Sequence, residues 1–139
     1  MYALRFKKLW LAIGWILVMA VFILSLIPPP ETMQALDSGD KVGHLLAYFV
    51  LMGWFAQIYH TPRQRFYLMI GFLLQGILLE ILQDFNPMRQ MDWQDVIANS
   101  IGILLAWQLT KGRLAHVLAY FEQKCCKGSG SKKPEIENQ

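Results

Sequence analysis

At 139 residues the chain is long enough for one domain, but 55% hydrophobic against 17% charged residues departs from the soluble norm of roughly half apolar and a quarter charged. More than half of it lies in four stretches nearly free of charge, which excludes a soluble single-core protein and a disordered chain. Two adjacent cysteines, Cys125 and Cys126, cannot frame a disulfide scaffold, and a net charge of +3 is explained below by topology, so nucleic acid is not an expected partner.

The first stretch, 9–27, has no charged residue over 19 positions. At about 1.5 Å per residue it nearly matches a hydrocarbon core about 30 Å thick. Arg5, Lys7 and Lys8 before it resemble the basic start of a signal peptide. The apolar run is too long for one, and Pro28-Pro29-Pro30 follows with no small-residue cleavage pattern. It is read as a retained span. Two more spans are expected at 42–59 and 66–83, interrupted only by His44 and Glu80. A fourth, 95–109, is shorter and takes Asp92 to Gln94 as its first turn. No period-two alternation supports strands. The expected fold is therefore all-α, a polytopic membrane protein with a four-transmembrane-helix bundle. Its divisions are a basic cytoplasmic N-terminus (1–8), the membrane domain (9–109), an amphipathic segment on the inner leaflet (110–126) and a disordered tail (127–139). Within the third division, 112–123 places Leu114, Val117, Leu118 and Phe121 on one helical face. The tail is rich in Gly, Ser, Lys and Glu and has no apolar pattern.

Lys and Arg counts in the short flanks set the orientation. The N-terminus, the 59–65 loop and the C-terminal region carry eleven of the thirteen; the other two loops carry only Lys41 and Arg89, beside Glu31, Asp37, Asp40, Asp84, Asp92 and Asp95. Both termini are expected in the cytoplasm and the acidic loops outside. Tyr59, Tyr67 and Trp107 then belong to the inner aromatic belt and Trp93 to the outer one.

Ionisable groups inside a bilayer cost roughly 2.5 to 3.5 kcal/mol each at its centre, so their positions carry information. At about 100° per residue, Lys41, His44 and Tyr48 share one sector of the second helix. Glu80 and Gln83 occupy the last turns of the third, with Gly76 one turn deeper. Asp92, Asp95 and Asn99 form a stripe on the fourth, continued by Gly102 and Ala106, where a neighbouring helix can approach closely. Given alternating helix directions, all three sets fall at the same outer depth. The expected site is a cleft formed by Asp40, Lys41, His44, Tyr48, Glu80, Gln83, Arg89, Asp92, Asp95 and Asn99, with Arg89 pairing with Glu80, Asp92 or Asp95. The inner half offers only scattered amides such as Gln57 and Gln108, so no polar path crosses the membrane and a transporter is disfavoured.

Ser25-Leu26-Ile27-Pro28-Pro29, then DKVGHLLAYFVL at 40–51, then GILLEILQDFNPMRQMDWQDVIANSIGILLA at 76–106 together resemble the VanZ-like family of bacterial membrane proteins, named for a teicoplanin-resistance accessory protein. The combined pattern DKxxHxxAY, ExxQ and RxxxxxDxxxNxxG is specific in order and spacing. The family's signature residues fall on Asp40, Lys41, His44, Tyr48, Glu80, Gln83, Arg89, Asp95, Asn99 and Gly102; Ala106 stands where similar proteins often have a further Gly. The resemblance implies the bacterial inner membrane, a role at the cell envelope and a link to glycopeptide resistance, without a biochemical mechanism.

Two readings of the cleft lead. In the first it binds or shields an amphiphile, a membrane lipid or a lipid-linked envelope precursor, for which charges of both signs beside acyl chains are suited. In the second it is the site of an envelope enzyme, with His44, Glu80 and Asp95 as candidate catalytic groups and His44, oriented by Asp40 or Asp95, as base. Ser25 is a poor nucleophile candidate, since serine in membrane helices usually bonds its own backbone. Asp40 with His44 as a simple helix-mouth pair and Glu80 with Arg89 as a structural ion pair are the plainer alternatives. His44, Glu80 and Asp95 are plausible ligands, but no HExxH spacing is present, so neither a metal nor a cofactor is expected.

Overall fold

The computed structural model describes residues 4–28, 39–87, 91–112 and 116–127. Among them every regular element is helical: α1 Lys7–Leu26, α2 Gly39–Ile58, α3 Pro62–Asp84, α4 Trp93–Leu109 and α5 Val117–Lys127. Three of these, α1 to α3, are long and apolar enough to cross a membrane. The fourth has 17 residues, about 25 Å of helix.

Local chemistry explains the boundaries. Ile27 leaves the helical region at φ −82°, ψ 131° because a residue before proline is pushed towards extended backbone. Helix α3 begins at Pro62, four residues before the expected 66. Thr61 caps it in a reciprocal box with Gln64, and Pro62 fits the first turn, where no amide donor is needed. Asp92 caps α4, accepting from the Gln94 amide at 2.8 Å, as the expected first turn requires. The C-terminal helix departs from the expectation of 112–123: it runs Val117–Lys127, while Leu114 and the tail from 128 onward lie outside the described residues.

Helix α2 is central, supplying Tyr48, Leu51, Met52, Phe55 and Ala56, five of the eight core residues; Phe72 comes from α3, and Ile103 and Ala106 from α4. Its closest neighbour is α4. A Cβ built on Gly102 would stand 2.2 Å from the Leu45 carbonyl oxygen, so only glycine permits this approach. On α1, a Cβ built on Gly14 would stand 2.9 Å from the Phe55 ring, a side-chain contact. The outside of the bundle is apolar. Trp15, Ile16 and Leu24 on α1, Leu74 and Leu78 on α3, and Ile97, Ile101, Leu104 and Leu105 on α4 are all exposed, far more exposed apolar side chain than a soluble protein carries.

The bundle has two polar ends. At one, Arg65 is buried and donates to the carbonyls of Tyr59, Ala56 and Thr110 at 3.1, 2.9 and 2.7 Å, closing the C-terminal ends of α2 and α4. Lys7, Arg63 and Lys111 lie over the rings of Tyr59, Tyr67 and Trp107. At the other end, Gln83 donates to the Ser25 carbonyl at 2.7 Å and Asn86 to that of Leu26 at 3.4 Å.

Helix α5 returns to the Arg65 end. The buried Glu122 carboxylate accepts from the Arg5 and Phe6 amides at 2.7 and 3.0 Å and from the Trp10 indole, covering open donors at the start of α1, while the Leu118 amide donates to Gln57. Burial pushes the Glu122 carboxyl up, but the donors from Trp10, Phe6 and Arg5 outweigh it and hold the group below its ordinary value. A carboxyl depressed on folding contributes stability above its unfolded pKa, roughly 4.3, and loses it as pH falls through the folded value. Hydrogen exchange of the α5 amides, corrected for intrinsic rates, should therefore be flat near neutrality and rise below about pH 4. Glu122→Gln should give faster exchange at neutral pH and remove the acid step; an unchanged profile would show that the cap does not hold α5.

Candidate functional site

The end of the bundle opposite Arg65 collects the polar residues singled out in the sequence. Helix α2 delivers Asp40, Lys41, His44 and Tyr48 from its first three turns, α3 delivers Glu80 and Gln83 from its last two, and α4 delivers Asp92, Asp95 and Asn99 from its cap and first two. The depth coincidence has a packing cause: the Gly102 contact presses the start of α4 against the start of α2.

His44 stands between two carboxylates. Its Nε2 is 3.8 Å from Asp40 Oδ1 and 3.8 Å from Asp95 Oδ2. Lys41 Nζ pairs with Asp92 Oδ2 at 3.2 Å, tying α2 to the cap of α4. Glu80 is fully buried, and its Oε2 accepts from the Asp92 amide at 3.4 Å. Asp92 thus joins all three helices. The Gln94 amide, together with the Lys41 ammonium, holds its carboxyl below the usual carboxylate range. Deeper, Gly76 leaves room for Tyr48 and Asn99: a Cβ there would stand 3.4 Å from Tyr48 Oη and 3.2 Å from Asn99 Nδ2.

The group is layered. His44, Tyr48, Glu80, Asp95 and Asn99 are buried, whereas the side chains of Asp40, Lys41 and Asp92 remain 44%, 32% and 39% exposed and form a rim. Several buried polar atoms, Tyr48 Oη, Asp95 Oδ1 and both amide atoms of Asn99, have no hydrogen-bond partner among the described residues. Buried polar groups are ordinarily satisfied, and each unmade bond costs about 1 to 3 kcal/mol, so this layer is unusually polar for a structural core.

Gln83 is buried beside the group but directs its amide to the Ser25 carbonyl, which gives it a tethering contact to α1. Arg89 lies outside the described residues, and so does its expected pairing with Glu80, Asp92 or Asp95. Ser100 bonds back to the Val96 carbonyl at 2.7 Å, the usual habit of a membrane serine. Sequence reasoning missed the Lys41 to Asp92 pair, because spacing along one helix says nothing about partners on another. It also missed the Arg65 network, though Thr61-Pro62 with Gln64 three residues after the threonine is a helix-start signature that would have put Arg65 inside α3. A separate apolar cavity of about 410 Å³ lies near the Arg65 end between α1, α2 and α3, lined among others by Trp15, Phe55, Tyr67 and Phe72; it does not meet the polar group.

The family model described as VanZ/LLP1 matches residues 6–116, which take in α1 to α4 and every residue of this polar end. No curated protein and no solved structure matches the chain.

Proposed function

Because the chain belongs to the VanZ/LLP1 family, one associated with teicoplanin resistance, we propose that it is a four-span bacterial inner-membrane protein whose outer polar end binds or shields an amphiphilic envelope component, a lipid or a lipid-linked precursor. Helix α4 is the fourth span: its exposed Ile97, Ile101, Leu104 and Leu105 face lipid, and its polar cap and Lys111 reach the two headgroup regions. Both termini are cytoplasmic, α5 lies on the inner leaflet with Val117, Tyr120 and Phe121 towards the acyl chains, and the Lys41 and Asp92 rim faces out.

The observation that carries this reading is the layering itself. An exposed rim with charges of both signs sits over a buried polar layer with unmet hydrogen-bonding capacity, and both are flanked by lipid-facing apolar helix surface. A headgroup meets the rim while its chains stay in the bilayer. The enzymatic alternative requires His44 as a base, with one ring nitrogen oriented by a carboxylate and the other free for substrate. Here the two carboxylates stand 3.8 Å from Nε2, beyond hydrogen-bond distance, so neither orients the ring as a base requires, and binding is the better-supported reading.

Mass spectrometry of amphiphiles that co-purify with the native protein tests it. Wild type should retain one class enriched over bulk lipid, and His44→Ala should retain about tenfold less, the effect of roughly 1.4 kcal/mol. Identical bulk-lipid profiles for the two proteins would sink the proposal.

A further inference from the structure

The geometry points to a divalent-cation site formed by Asp40, His44 and Asp95, which goes beyond the amphiphile reading and does not depend on it. One ligand atom from each residue lies within 4.8 Å of the other two. The separations from His44 Nε2 to the two carboxylate oxygens, 3.8 Å each, are too long for hydrogen bonds. They suit a shared ion: two ligands held at about 2.1 Å each stand about 3.0 to 4.2 Å apart, depending on the angle between them. The remaining edge, from Asp40 to Asp95, closes by rotation of the half-exposed Asp40 side chain.

Burial provides the independent observation. Asp95 is 6% exposed, and its Oδ1 has no hydrogen-bond partner among the described residues. A carboxylate removed from water needs a compensating charge or donor. Among the described residues, the rim cation Lys41 is engaged with Asp92. A divalent ion between the two aspartates and a neutral imidazole balances the charge of the whole triad.

The donor set narrows the ion. One imidazole and two carboxylates suit Mn²⁺ or Zn²⁺ better than Ca²⁺, which prefers six to eight oxygens. Three protein ligands leave coordination positions open towards the rim, and an anionic oxygen is the natural fourth ligand. The sequence offered His44 and Asp95 as plausible ligands together with Glu80; the structure puts Asp40, the i, i+4 neighbour of His44 on α2, in the place of Glu80.

The full-length, tag-free protein in detergent, stripped with chelator and titrated with Mn²⁺ by electron paramagnetic resonance and with Zn²⁺ by calorimetry, decides the matter. Wild type should bind one ion per chain, and pulsed measurements should show nitrogen coupling from the imidazole. His44→Gln should lose that coupling, and both His44→Gln and Asp95→Asn should bind about 100-fold more weakly, at the upper end of what even an outer-shell change costs. Asp84→Asn, an exposed acid at the same end, should bind as wild type does. If the buried variants fail to fold by circular dichroism and gel filtration, Asp40→Asn at the exposed edge carries the test, with the same loss expected. No stoichiometric ion on wild type, or binding without nitrogen coupling, or equal binding by Asp40→Asn, would overturn the inference.

Discussion

Gly102→Val is expected to destabilise the bundle by about 3 kcal/mol or more, at or above the upper end of ordinary overpacking costs. The obstacle is backbone. Even the first carbon of the new side chain would stand 2.2 Å from the Leu45 carbonyl oxygen and 3.1 Å from the Phe49 amide nitrogen, and no rotamer change relieves a clash with main chain. Helices α2 and α4 must separate by about an ångström to restore van der Waals contact. The damage extends to the polar end, because Leu45 follows His44 in sequence and Asp95 lies two turns before Gly102 on the same helix. Thermal unfolding in detergent measures the loss. Gly71→Ala supplies the control: nothing lies within 4 Å of its added carbon, and a helix-interior glycine replaced by alanine should gain roughly 0.5 to 1 kcal/mol. Equal stability of Gly102→Val and wild type would show that the close crossing of α2 and α4 is not maintained in the membrane.

Arg65→Met should cost about 3 to 5 kcal/mol, the range for breaking a buried charged network from one side. The guanidinium is 6% exposed and closes three carbonyls, those of Tyr59, Ala56 and Thr110. Methionine keeps the apolar stem and removes every donor, leaving those oxygens without that partner where the ends of α2 and α4 meet. Arg65→Lys should recover only part of the loss, since an ammonium cannot reproduce a planar fork aimed at three acceptors. A loop arginine reaching for lipid phosphate predicts instead a change below about 1 kcal/mol for both variants, as for exposed charges generally. The same thermal measurement separates the two.

Much of the architecture was legible in the primary structure because bilayer thickness is a strong constraint. Runs nearly free of charge at 9–27, 42–59, 66–83 and 95–109 became α1 to α4, with errors confined to boundaries set by local caps such as Thr61 and Gln64. Depth was legible too: helix periodicity gathered His44, Glu80 and Asp95 at one level before any contact was known. Partner choice was legible only in part. Asp40 with His44 follows from i, i+4 spacing and Asp95 was an expected orienter of His44, but Lys41 with Asp92 depends on which helix faces give closest approach, and that is decided by Gly102 against the Leu45 carbonyl. Arg65 and Glu122 were hidden for a different reason. Their partners are mostly backbone carbonyls and amides, which carry no residue-type signal, so a buried cap on another helix looks in sequence like a loop cation and a surface acid.

The proposed envelope role stands on one claim, that the end of the bundle bearing His44 and Asp95 faces the outside. In a background with Cys125 and Cys126 replaced by serine, single cysteines at Asp84 and Gln123 report on the two ends, both positions being exposed. A membrane-impermeant maleimide added to intact spheroplasts should label Asp84→Cys within minutes and leave Gln123→Cys unmodified until the membrane is opened. Labelling of Gln123→Cys from outside, with Asp84→Cys protected, would turn the bundle over and place its polar end against the cytoplasm, out of reach of any envelope ligand.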